Sequence, residues 1–154
     1  MSFSGQVTTN STTIVSNDGW WPDLGVADFQ ARYRLPQDYA EEVLVDGLQL
    51  AMAWANRQLS TWRATDTAAV AAANLDAVDA PQLGDESVLL IHYRRAVFSH
   101  AKAYAMRQFP TIDRRDTANN EAKEGPDTEA KFLEYAQQAI ADFLGVGRIC
   151  VELL

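Results

Sequence analysis

Apolar positions along the chain fall into helical stretches separated by polar or alanine-rich segments, and the stretch from Asp85 to Phe109 dominates. It holds no proline or glycine and is bounded by Gly84 and Pro110. At 100° per residue, Leu90, Tyr93, Val97, Ala101 and Tyr104 share one face, with Ile91, Phe98 and Ala105 beside them. Arg95, Ser99 and Lys102 fall opposite, leaving water a narrow strip. A helix with so broad an apolar arc is expected at the centre of a small bundle. Asp85 is the expected N-cap, and Glu86 suits the positive end of the macrodipole. Arg94 breaks the pattern by projecting from the apolar arc. It either snorkels at the edge of the arc or forms an ion pair across a subunit boundary.

Three further helices follow from the same periodicity. Val26, Phe29 and Tyr33 mark a short one near 25–34, ending by Leu35-Pro36. Asp38 and Glu41 have the spacing of a capping box and open a long helix near 38–63. Its apolar arc includes Leu44, Leu48, Ala51, Ala55, Leu59 and Trp62, with Gly47 in the middle. A glycine there costs about 1 kcal/mol against alanine, so close approach of another helix is expected. The last helix, near 127–144, sets Phe132, Leu133, Ala136, Ala139, Ile140 and Phe143 against Lys131, Glu134, Gln138 and Asp142. Pro126 suits its first position and Gly145 its C-cap. The central helix occupies 86–109.

The intervening segments read differently. Residues 1–19 are rich in Ser, Thr, Asn and Gly, and only Thr13-Ile14-Val15 suits a strand. They are expected to form a flexible arm, with a single domain over 20–154. Trp20 and Trp21 precede Pro22 and cannot both face one way on an extended chain. Either one packs on the domain and the other on a partner, or both cap the core. Residues 64–84 are alanine-rich with sparse large apolar groups, and are expected to form a long surface loop with at most a helical turn around 67–74. A second exposed loop is expected over 110–125. In the closing Arg148-Ile149-Cys150-Val151-Glu152-Leu153-Leu154, Ile149, Val151 and Leu153 alternate with Cys150 and Glu152, the period of a strand. That strand needs an outside partner for its backbone groups: the arm at 13–15, a neighbouring subunit or another protein. The fold class expected is all-α, a small bundle of about four helices with an extended N-terminal arm and a short C-terminal β-strand.

Composition narrows the function. At 154 residues one domain with a real core is the default. A net charge of −8 argues against gripping nucleic acid through a basic face. Cys150 is the only cysteine, so no intrachain disulfide forms. No run is long enough to span a membrane, and no signal peptide is recognised at the start.

Catalytic signatures are missing. His92 and His100 lie about two turns apart, offset by about 80°, too far for one metal ion, and neither has the glutamate of a bundle di-iron site. There is no phosphate-binding glycine loop and no GxSxG elbow. Glu41, Glu42 and Asp46 read as a solvated face. No catalytic residue, metal or cofactor is assigned, which leaves a binding or structural protein.

The order of segments resembles the head completion proteins of contractile-tailed bacteriophages. The resemblance covers 20–154. It starts with Trp20-Trp21-Pro22-Asp23-Leu24, a helix ending Arg32-Tyr33-Arg34-Leu35, and the long second helix. It continues through Gly84-Asp85-Glu86-Ser87 and His92-Tyr93-Arg94-Arg95-Ala96-Val97 to Gly145-Val146-Gly147-Arg148-Ile149-Cys150-Val151. The 64–84 segment matches least. The resemblance implies a virion protein at the head–tail interface, assembled in the host cytoplasm. It implies a homo-oligomeric ring, twelvefold in that family, below the portal protein, stabilising the DNA-filled head and presenting a surface to the tail-side connector or tail terminator protein. DNA would pass through without specific binding. The residues expected to meet the portal or a neighbouring subunit are Trp20, Trp21, Arg94, Arg148, Ile149, Val151, Leu153 and Leu154. The alternative is a free-standing regulatory or toxin-neutralising helical protein acting as monomer or dimer.

Overall fold

The structure, a computed structural model, describes residues 11–109 and 128–147. In chain order it runs β1 (Ile14–Val15), β2 (Leu24–Gly25), α1 (Val26–Arg32), α2 (Glu41–Gln58), α3 (Ser60–Thr65) and α4 (Thr67–Ala71). A 3₁₀ turn at Leu75–Ala77, β3 (Gln82–Leu83), β4 (Glu86–Ser87), α5 (Val88–Gln108) and α6 (Glu129–Leu144) complete it. The fold is predominantly helical, with short antiparallel strand pairs at two places.

The sequence of α5 explains its central position. Ala96, Val97, Phe98 and Ser99 are all buried, so this helix is covered almost all round at its middle. It packs most extensively on α6, then on α2. Helix α6 turns Ala136, Ala139, Ile140 and Phe143 inward, as its period of 3.6 dictates. Arg95 joins Asp142 at 3.1 Å across the α5–α6 seam. Gly47 on α2 admits the Tyr104 ring: a Cβ there would lie 2.9 Å from Tyr104 Cδ1. The close approach expected from that glycine is present.

Helix ends follow local chemistry, not always the expected residue. Helix α2 starts at Glu41 with Ala40 at its N-cap and no side-chain cap. The Asp38–Glu41 capping box does not form, because the helix starts at Glu41 itself and leaves Asp38 two residues before the N-cap; the Glu41 carboxylate accepts from the Ser11 hydroxyl. Helix α5 is capped by Ser87, whose Oγ accepts from Leu89 N at 3.3 Å, and not by Asp85. Asp85 instead lies in the turn of the β3–β4 hairpin, where Leu83 faces Glu86 and Gly84 takes φ +62°. Helix α6 begins after Thr128, which caps Lys131 N, and ends at Gly145 with φ +67° as expected.

Two expected segments are corrected. The long second helix does not run unbroken to Arg63; it is interrupted at Leu59, and a separate short helix, α3, carries Trp62. Residues 64–84 are not one surface loop. Asp66 accepts from Ala68 N and Ala69 N at 3.0 Å and starts α4; Asn74 accepts from Ala77 N at 2.9 Å and starts the 3₁₀ turn. Ala69, Leu75 and Val78 are buried, so this segment closes one side of the core. Within the segment expected to form the arm, residues 14 and 15 belong to the folded domain. Val15 is a core residue, and Ile14–Val15 pairs with Leu24–Gly25 in antiparallel register. The loop expected at 110–125 and the strand expected over Arg148–Leu154 lie outside the described residues.

Candidate functional site

The double tryptophan is set by the turn before it. The Asp18 carboxylate accepts from Trp20 N and Trp21 N, both at 3.0 Å, and its other oxygen meets Arg63 at 2.9 Å. Burial alone would raise the Asp18 pKa, but the two backbone N–H groups and Arg63 hold it below the ordinary carboxylate value. This turn sends the two rings to different neighbours. Trp20 donates from Nε1 to Ala72 O at 3.1 Å and lies under the Arg63 guanidinium, 4.6 Å from its centroid. Trp21 stacks on Tyr93 at 4.9 Å and 12°. Trp62 and Phe143 complete the knot edge to face at 4.7 Å. Both tryptophans are buried, at 8% and 2% exposure. The packing therefore follows the expectation that both cap the core.

A polar node lies beneath the aromatic rings. The Tyr93 hydroxyl accepts from Asn17 Nδ2 at 2.8 Å and donates to Asn56 Oδ1 at 2.6 Å. Asn17 Oδ1 accepts in turn from Asn56 Nδ2 at 2.9 Å. Burial pushes the Tyr93 phenol well above its ordinary pKa. The node ties the N-terminal segment, α2 and α5 together, a role that spacing alone does not reveal.

Arg94 pairs within its own chain. Its guanidinium grips the Glu86 carboxylate in two bonds of 2.6 and 3.2 Å. The hairpin folds Glu86 over the first turns of α5, within reach of Arg94. The hydrogen bond from Arg94 holds the Glu86 carboxyl below its ordinary value. Arg94 thereby braces the β3–β4 hairpin. Arg148, Ile149, Val151, Leu153 and Leu154 lie outside the described residues.

The surface has apolar side chains the core does not use. Ile14, Leu50, Val70, Leu83 and Val146 are each more than half exposed, on separate elements. One cleft of about 500 Å³ sits beside the α2–α3 break, lined by Trp21, Asn56, Arg57, Ser60, Arg63 and Ala64, with Asp18 at its edge. A smaller cleft of about 270 Å³ is bounded by Trp20, Pro22, Asp23, Leu75, Asp76 and Leu90. Among the described residues, no group of His, Cys, Asp and Glu is arranged to hold a metal ion, and no helix is long and apolar enough to cross a membrane. His100 stacks on Trp54 at 4.6 Å, and burial together with the Arg107 charge pushes its pKa below the ordinary 6.5.

A family model described as phage head completion protein (GPL) matches residues 15–154. A curated relative from Haemophilus phage HP1 (strain HP1c1), a probable head completion/stabilization protein, is 26% identical over 152 residues, covering 99% of this chain and 99% of the relative. No solved structure matches. The matched span begins at the buried residue of β1 and takes in the aromatic knot, the hairpin and all three long helices. On that span, the chain belongs to the phage head completion protein family, whose members are structural proteins of the phage head.

Proposed function

We propose that the chain is the subunit of a closed ring seated under the portal, which retains DNA in the filled head and offers the surface on which the tail connector docks. The observation that carries this reading is the family match over 15–154. The exposed apolar side chains support it, because they sit on different elements and so suit contacts between unlike faces. Such heterologous contacts generate rings when the rotation closes. The net charge of −8 supports a channel that repels the DNA backbone and lets it slide. In the same reading, Arg148 to Leu154 adds as a strand to the portal or an adjacent subunit, with Ile149, Val151, Leu153 and Leu154 supplying the apolar contacts. Complementation tests the function. Phage lacking the protein should yield packaged heads that lose DNA and take no tails, and purified protein should restore both. Heads that keep their DNA and accept tails without it would refute the proposal.

A further inference from the structure

The β3–β4 hairpin is built to project. Its turn is Gly84-Asp85, its base is fastened by Val88 N donating to Pro81 O at 2.9 Å, and its second strand is held by the Arg94–Glu86 pair. At the tip Leu83 is 64% exposed and Asp85 is exposed beside it, with Asp79 exposed just before the first strand. The cleft beside the α2–α3 break has the complementary character. Ala64 gives it an exposed apolar group, while Trp21 lines it with only 2% of its surface exposed, and Arg57 and Arg63 give it two guanidinium groups. Asp18 neutralises Arg63, while the exposed Arg57 side chain has no ion-pair partner among the described residues.

Both features lie at one end of the bundle. Asn56, near the end of α2, meets Tyr93 near the start of α5, while Gly47 meets Tyr104 further along, so the two helices run antiparallel. The hairpin precedes α5 and the cleft follows α2, so they share a level along the bundle axis. A contact between them repeats at that level.

We infer that the hairpin tip of one copy docks into the Arg57–Arg63 cleft of a second copy, with Leu83 against Ala64 and Asp85 paired to Arg57. This deepens the ring reading and rests on it, because it names the two unlike faces that the ring joins. Arg94 then acts as a positioning residue that sets the hairpin, not as a direct contact.

The test is cysteine cross-linking in full-length protein assembled on its cognate portal, in a Cys150→Ser background. Leu83→Cys with Ala64→Cys should give a ladder of reducible multimers, and either change alone should give none. Both sites are exposed, so the fold is kept. As a second arm, Asp85→Arg or Arg57→Asp alone should weaken assembly about tenfold, and the two together should restore it. Rings of wild-type protein without a ladder, a cross-link confined to one chain, or a cross-link from Leu83→Cys to the portal would overturn the contact while leaving the ring reading intact. Wild-type protein that forms no ring at all would overturn both.

Discussion

Tyr93→Phe is the sharpest probe of how the fold is held. The change removes one oxygen and leaves the ring stacked on Trp21 at 4.9 Å, so it creates almost no cavity. It deletes the bond accepted from Asn17 Nδ2 at 2.8 Å and the bond donated to Asn56 Oδ1 at 2.6 Å. Asn17 Nδ2 keeps Pro22 O at 3.1 Å, whereas Asn56 Oδ1 loses the only donor described for it. A net hydrogen bond contributes about 1 kcal/mol, and stranding a buried acceptor costs about 1–3 kcal/mol. Asn17 and Asn56 are half-buried, so water recovers part of this and the expected loss is about 2 kcal/mol. For a domain of this size that corresponds to a fall in Tm of about 4–8 °C. Urea unfolding followed by tryptophan fluorescence should show a lower midpoint with an unchanged slope. A double-mutant cycle with Asn56→Ala should return a coupling of about 1 kcal/mol. A Tyr93→Phe loss below about 0.5 kcal/mol, the range of ordinary surface changes, would refute the role given to the node.

Three further outcomes follow from the same structure. His100 has a depressed folded pKa, so its contribution to stability is present above about pH 6.5 and is lost as pH falls through the folded value; an NMR titration should place its midpoint below that of the unfolded chain, and His100→Phe should flatten stability over that window. With 21 acidic against 13 basic residues, isolated protein should not bind duplex DNA at physiological salt, and micromolar binding in a gel-shift assay would contradict the sliding channel. Deleting Ile149 to Leu154 should leave the urea midpoint of the monomer nearly unchanged while abolishing attachment to portal-bearing heads; a deletion that unfolds the monomer would assign those residues to its core.

The periodic parts of the fold were legible in the sequence. The burial of Tyr93, Val97, Phe98 and Ala101 follows from their spacing, and Gly47 in the apolar arc of α2 marks the close approach of Tyr104 on α5. Capping was less legible because several acceptors compete for one helix start. Asp38, Asp85 and Ser87 are all competent caps; the start of α2 at Glu41 passes over Asp38, and the hairpin turn at Gly84 takes Asp85 and leaves Ser87 as the cap of α5. The 64–84 segment misled because alanine supplies little amphipathic signal. Its organising residues are the polar caps Asp66 and Asn74, each followed by the backbone N–H groups it satisfies. The candidate site was legible only in part. Trp20 and Trp21 stood out by type, yet which way they face depends on Asp18 and on Trp62 and Phe143, distant in sequence. Arg94 was conspicuous for the same reason, and its partner lay in a hairpin that two-residue strands do not advertise.

The ring is the central claim, and direct imaging tests it. Purified protein mixed with its cognate portal should be examined by electron microscopy with classification of views along the channel axis. The account predicts a closed ring of copies stacked coaxially on one face of the portal, with an open central channel. Portal particles that carry no added density, or that bind scattered single subunits without closure at saturating protein, would contradict it.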